Sequence, residues 1–287
     1  MVSIVKLVLQ KFGEVAERSE REVVTTIEEC YRRLAPHEVE ILNLLLFMNS
    51  SEMKFFYSHE RSALGVTSGD FSDQFFAMHE AWTGTSRIAV CMDRMRKIPR
   101  IVQVGALRHE VGHSVLHGSL EYYVFPLTRS LIDISMQFGV SNDYLFSLLY
   151  LISIAVKDFE VTKLLVKNGY IEDQVAYSSY VSATSKQDTA AWTAAGSNHA
   201  SKGLCLAGRL KDTMCFVALQ PEIGEAQIER RLRKEFSYMG KPILEKTLTI
   251  AKKLPQAMVD DTFRNVSTAT SIFVESLLIP IFNRTVS

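Results

Sequence analysis

The residues best able to do chemistry lie in one short run, His109-Glu110-Val111-Gly112-His113. On an α-helix, positions four apart share a face, so imidazoles at 109 and 113 can grip one metal ion from a single rigid element. The Glu110 carboxylate, beside the first histidine, is then placed to take a proton from a metal-activated water. Zinc suits such a set, because it accepts imidazole nitrogen, brings the pKa of a bound water to about 7 and leaves a position open for a carbonyl oxygen. The expected chemistry is hydrolysis, with His109 and His113 as metal ligands and Glu110 as the catalytic base.

The elements that must position this run are read from the flanking sequence. Ser86 to Met95 (SRIAVCMDRM), after Thr83-Gly84-Thr85, predicts a strand. Pro99 ends it and opens a helix of about 18 residues that carries the motif, with Gly118 as its stop. Ala106, Leu107, Ser114 and Val115 flank the motif, so no charge interrupts the face to be buried. Residues 18 to 34 carry apolar groups at helical spacing and stop before Pro36. The run EVEILNLLLFMNS is a buried strand or a buried helix, and periodicity does not separate the two. From a cap at Ser141, Asn142 or Asp143 to Gly169, the chain predicts a helix too apolar to lie on a surface. Residues 176 to 208, rich in Ser, Thr, Ala and Gly, read as irregular structure, and 222 to 253 and 256 to 282 as helices broken at Pro255 and Pro280. The expected fold is α+β, mostly helical, with a small mixed sheet in residues 38 to 95 preceding the motif helix. It forms a single domain over 1–287, with a core in 36–170 and a helical part in 176–287 packed on it.

Strand, HExxH helix and later helix together resemble the zincin metallopeptidases over residues 84 to 170. The resemblance implies that the strand before the motif helix, Ser86 to Met95, is the sheet edge along which a substrate peptide lies, and that a later helix supplies a third ligand. The metzincin pattern HExxHxxGxxH fails, because Leu116 and Ser119 stand where it needs Gly and His. His117 continues a histidine ladder but has drifted about 80° around the helix from His109, which suits a residue behind the ligands or at the surface better than a third ligand. Gluzincins use a carboxylate from a later helix. The stretch Asp158-Phe159-Glu160-Val161-Thr162-Lys163-Leu164-Leu165 resembles the EFxADxxA segment of the HtpX-like and CAAX-prenyl-type peptidases. Asp158 falls on the family's ligand position, where the family has Glu, and Thr162 on that of its later Asp. Helical geometry argues separately for Asp158, whose i±3 and i±4 neighbours Ile154, Ala155, Val161 and Thr162 make an apolar face. A buried carboxylate without a cation is costly unless it meets a metal or hydrogen-bond donors. Glu160, with Lys157 and Lys163 three residues either side, reads as a solvated ion pair and is the alternative ligand.

A donor to the developing oxyanion is expected from His199, Tyr170, Tyr177 or Tyr180, with nothing to choose among them. The pairs His59-Glu60 and His79-Glu80 read as ordinary polar residues, and Arg230 to Glu235 as a salt-bridged surface. No GxxxxGK[ST] or GxGxxG run is present, so nucleotide binding has no support. Lys plus Arg number 32 and Asp plus Glu 32, which argues against a nucleic-acid or anionic-membrane partner. Cys30, Cys91, Cys205 and Cys215 have no CxxC spacing and read as reduced core thiols. The apolar runs Ile41 to Met48 and Tyr144 to Val156 fall short of the roughly 20 residues that span a bilayer, and the N-terminus lacks a basic n-region and a cleavage site. The expectation is a cytoplasmic zinc-dependent metallopeptidase acting on a peptide or protein, without stable membrane insertion. The alternatives are a non-catalytic zincin-fold binding or regulatory protein, whose metal is structural or absent, and a zinc hydrolase of a non-peptide amide.

Overall fold

The apolar runs of the N-terminal half become strands of one small mixed sheet. In the computed structural model, which describes residues 5–63 and 76–283, these are β1 (Lys6–Phe12), β2 (Ile41–Phe47), β3 (Ala77–Glu80) and β4 (Arg87–Cys91), in the order β1-β2-β4-β3. The first three in that order run parallel, and β3 pairs antiparallel with β4. The run whose period left strand and helix open is β2, seven residues held between two neighbours. Side chains alternate across it. Leu45 and Phe47, with Ala89 and Cys91 of β4, pack on Met53 and Tyr57 of α2 (Ser50–Ala63). Leu44, Leu46, Ile88 and Val90 face the other way and are also buried. A strand buried on both faces reads as a continuous apolar run, which hides its period.

Three expectations about this region are corrected. The sheet begins before residue 38, because β1, whose KLVLQKF carries polar residues suited to an edge strand, pairs in register with β2. The strand expected over Ser86 to Met95 is only Arg87–Cys91, and Met92–Met95 turns into a short helix, α3. Nor is that strand the edge: β4 lies between β2 and β3, with all five residues buried, and β3 is the edge on that side.

The helices follow their punctuation. α1 (Glu17–Leu34) connects β1 to β2, and the motif helix α4 (Arg100–His117) starts after Pro99 and ends at Gly118, as expected. α5 (Arg129–Phe138) precedes α6 (Asn142–Lys167), which ends before Gly169 at φ +80°. Residues 176 to 208 are helical rather than irregular: α7 (Glu172–Val181), α8 (Lys186–Ala195) and the start of α9 (His199–Val217). Ser185 and Asn198 there are helix caps. Ser185 and Asp188 form a capping box, and Asn198 Oδ1 accepts from the Ser201 N–H at 2.9 Å. After α10 (Gln220–Ile223) and α11 (Glu225–Phe236), Pro255 sits inside α12 (Lys241–Ala257), and the interruptions fall at Gly240 and residues 258–261 instead. α13 (Thr262–Phe273) runs on through a π turn, Val274–Leu278, into α14 (Ile279–Phe282). Pro280 has no N–H for the carbonyl four residues earlier, which a widened turn accommodates. By length and composition Thr262–Phe282 could cross a membrane, although half of its most apolar window is buried.

The chain divides into two compact units. One holds residues 1–123 and 164–177, with the sheet and the motif helix; the other holds 124–163 and 178–287.

Candidate metal centre

The motif helix is held on two sides within the first unit. Toward α1, Tyr31 Oη and Ser114 Oγ lie 2.6 Å apart in a buried pair, and Ser114 Oγ donates to the Val111 carbonyl at 2.7 Å. Arg108 reaches Glu29 of α1 at 3.0 Å and Asp173 of α7 at 3.2 Å, with its guanidinium 4.2 Å from the centre of the Tyr170 ring. Burial opposes the Arg108 charge, but Asp173 and Glu29 outweigh it and raise its pKa. On the α7 side, Gln174 Nε2 donates to the Gly105 carbonyl at 2.9 Å. Gly105 is required there, since a Cβ would run into the Asp173 carbonyl oxygen and stand 2.9 Å from Tyr177 Cβ.

So held, α4 brings the expected residues together. His109 Nε2 and His113 Nε2 lie 3.2 Å apart. Two nitrogens on a tetrahedral zinc, each about 2.0–2.1 Å from the ion, stand about 3.3 Å from one another, so this pair fits the edge of such a site. His109 is buried, and its ring centre lies 4.8 Å from that of Tyr177. The other nitrogen of His113, Nδ1, is 3.3 Å from Nδ1 of His117, which is itself buried against Tyr122. His117 therefore lies behind His113, as its angular drift implied.

Glu110 is buried, and its Oε2 accepts the His79 backbone N–H at 2.7 Å. That donor comes from the outer side of β3. The Cys91 N–H donates to the Phe76 carbonyl at 2.9 Å, so by antiparallel alternation Ala77 and His79 turn their backbone polar groups away from β4. The His79 ring is parallel to that of His113, with centres 6.1 Å apart. Its Nε2 is 2.7 Å from Ser86 Oγ and its Nδ1 3.3 Å from Tyr123 Oη. The reading of His79 as an ordinary polar residue is corrected: it lies over a motif histidine and holds the motif glutamate. No spacing rule links it to a helix thirty residues away; the pairing of β3 beside α4 does.

Its neighbour Glu80 points elsewhere. It accepts from Tyr57 Oη at 2.7 Å and Trp82 Nε1 at 2.5 Å, and pairs with Arg87 at 2.8 Å. Arg87 also grips both oxygens of Glu60, at 2.6 and 2.9 Å. Burial pushes the Glu80 carboxyl up, against the pull of Arg87 and the bonds from Tyr57 and Trp82. The acids of both His-Glu pairs thus meet at one arginine.

Asp158 lies on α6 in the second unit and is half-buried. Its own helical face lacks a cation, but Lys211 of α9 supplies one. Burial opposes the Lys211 charge, and Asp212 and then Asp158 hold its pKa above the usual value. The premise that Asp158 must find a metal for want of a positive neighbour is therefore removed. Glu160 is not a solvated ion pair either. Its oxygens accept from Thr262 Oγ1 at 2.8 Å and Asn265 Nδ2 at 2.6 Å, both on α13. Among the four expected oxyanion donors, Tyr177 stands beside the motif. Tyr170 donates to Glu29 at 3.0 Å beneath two guanidinium groups, and Tyr180 and His199 belong to the second unit. The stretch 230–235 is surface only in part: Arg233 pairs with Glu229 at 2.8 Å in the open, while the Arg231–Glu235 pair is turned inward and Arg231 donates to the Ser179 carbonyl. No protein-family model, curated protein or solved structure matches this chain.

Proposed function

We propose that the chain is a zinc-dependent hydrolase that cleaves peptide bonds, with a zincin-like, gluzincin-type site built on the motif helix. One observation carries the reading. His109 Nε2 and His113 Nε2 stand 3.2 Å apart, beside a buried carboxylate one residue from the first of them. When bound, zinc supplies a Lewis acid that polarises the scissile carbonyl and makes a water acidic near neutral pH. Glu110 would be the group that holds the proton, taken from water and passed to the leaving amine. Tyr177, beside His109, is the first of the expected donors to try as the partner of the developing oxyanion. A peptide, rather than a small amide, is favoured by the outward-facing backbone of β3 other than the His79 N–H, namely the Ala77 N–H and the Ala77 and His79 carbonyls, with which an extended chain can pair as an added strand. Two nitrogens do not complete a zinc site, and Asp158, the ligand expected from the sequence, is the first residue to test for the third place.

Metal content by plasma mass spectrometry, on protein purified without chelator and then offered zinc, tests the site. About one zinc per chain is expected, and its loss in His113→Ala. Loss also in Asp158→Ala would make Asp158 the third ligand; retention would remove it. Glu110→Gln should keep fold and zinc while lowering turnover of a peptide library by about 10²- to 10⁴-fold. Wild-type protein that takes up no zinc overturns the reading and brings forward the non-catalytic binding protein. Turnover that survives in Glu110→Gln removes the mechanism.

A further inference from the structure

The contact behind the motif carries one step more, which rests on the metal reading above. His113 Nε2 can ligate only with its lone pair exposed, so the ring proton must then sit on Nδ1. Histidine ligands as a rule donate that second N–H to a fixed partner, usually a carboxylate, a carbonyl or water, which sets the tautomer and the ring orientation. Here the atom facing His113 Nδ1 is a nitrogen, Nδ1 of His117 at 3.3 Å. Two ring nitrogens at that distance form a hydrogen bond only when one carries a proton and the other does not.

We propose that His117 is the positioning residue for the ligand His113: neutral and protonated on Nε2, it accepts the His113 Nδ1–H and so presents His113 Nε2 as a ligand. Three features fit this role. His117 is buried at 1% exposure, so water does not compete for the contact. Its ring lies against Tyr122, with centres 5.2 Å apart and planes 74° apart, an edge-to-face contact that restricts its rotation. It also sits one turn after His113 on the same helix, so the partner moves rigidly with the ligand it orients. The histidine ladder at 109, 113 and 117 is then two ligands and the support of the second.

The test measures zinc affinity rather than turnover, by competition with a chromogenic chelator, and reads the cobalt absorption of the substituted protein. His117→Ala should weaken zinc binding by about 10- to 100-fold, the usual effect of removing such a partner, and should alter the cobalt bands. His117→Asn should restore most of the affinity, because its Oδ1 can stand near the lost Nδ1 and accept the same proton. Unchanged affinity in a folded His117→Ala overturns the inference. Equal losses in both variants also overturn it, since the residue would then act by its bulk. If His117→Ala does not fold, the Asn variant decides: affinity within a few-fold of wild type upholds the acceptor role, and a loss as large as about 100-fold removes it. Absence of zinc from the wild-type protein would instead be the failure of the metal reading itself.

Discussion

Replacement of Gly105 by alanine should destabilise the protein even though alanine is the better helix former. Gly105 lies one turn before His109 on the motif helix, and α7 passes directly over it. The added Cβ would collide with the Asp173 carbonyl oxygen and stand 2.9 Å from Tyr177 Cβ and 3.1 Å from the Asp173 carbonyl carbon. These are backbone atoms and a Cβ, so no side-chain rotation relieves them. Bringing Tyr177 Cβ out to an ordinary 3.4 Å contact already means moving α7 by about half an ångström, and clearing the Asp173 oxygen, which lies closer, takes more. Such overpacking costs about 1–3 kcal/mol. Stretching the bond from Gln174 Nε2 to the Gly105 carbonyl, 2.9 Å long, loses about 1 kcal/mol more. Alanine returns about 1 kcal/mol through helix propensity. The net expectation is a loss of about 1–3 kcal/mol, or about 2–4 °C in Tm for each kcal/mol in a chain of this order of size. Urea unfolding followed by circular dichroism measures it. Zinc affinity should fall as well, because Tyr177 is displaced from His109. A Gly105→Ala protein as stable as the wild type, or more stable, would refute the close approach of α4 and α7 and the local geometry built on it.

Other perturbations separate backbone from side-chain roles. In β3 the His79 N–H faces away from β4, where proline is tolerated because no ladder bond is lost. His79→Pro should therefore fold but lower turnover about tenfold or more, by freeing Glu110 from a charge-assisted bond of roughly 1.5–3 kcal/mol; His79→Ala keeps that N–H, and equal turnover in the two variants would exclude the backbone role. Burial, helped by Asp93, pushes the Cys91 thiol up to about 12. Its folded-state pKa is thus raised, so its contribution to stability is present below the ordinary thiol pKa and lost as pH rises through the folded value. Between about pH 9 and 12 the wild type should lose up to about 1.4 kcal/mol per pH unit on this account. Denaturant titrations of Cys91→Ala should show a shallower decline, and an identical slope would mean that the thiol is not protected.

Much of the site was legible because its geometry is local. The i,i+4 spacing of His109 and His113 implies neighbouring rings on any α-helix, and the structure has their Nε2 atoms 3.2 Å apart. Pro99 and Gly118 delimited that helix, and the angular drift of His117 kept it out of the pair. The ends of α6 were likewise readable, at Ser141, whose Oγ accepts the Tyr144 N–H at 3.3 Å, and at Gly169, with φ +80°. Residues 176 to 208 misled because serine and asparagine are common to loops and to helix starts, and only the bonds from Ser185 and Asn198 tell which they are.

What no local rule reached was decided by strands and helices far apart in the chain. Strand order placed β4 inside the sheet and β3 at its edge, which made His79, rather than a residue of the motif's own strand, the donor to Glu110. Packing of α13 engaged Glu160, and α9 brought Lys211 to Asp158; both overturned arguments made from a single helical wheel. The sequence by itself determined which side chains share a helix face, because backbone hydrogen bonds within four residues set that period. Only the tertiary structure decided which charges are neutralised and which strand flanks the motif helix, because those depend on contacts whose partners lie about a hundred residues or more away.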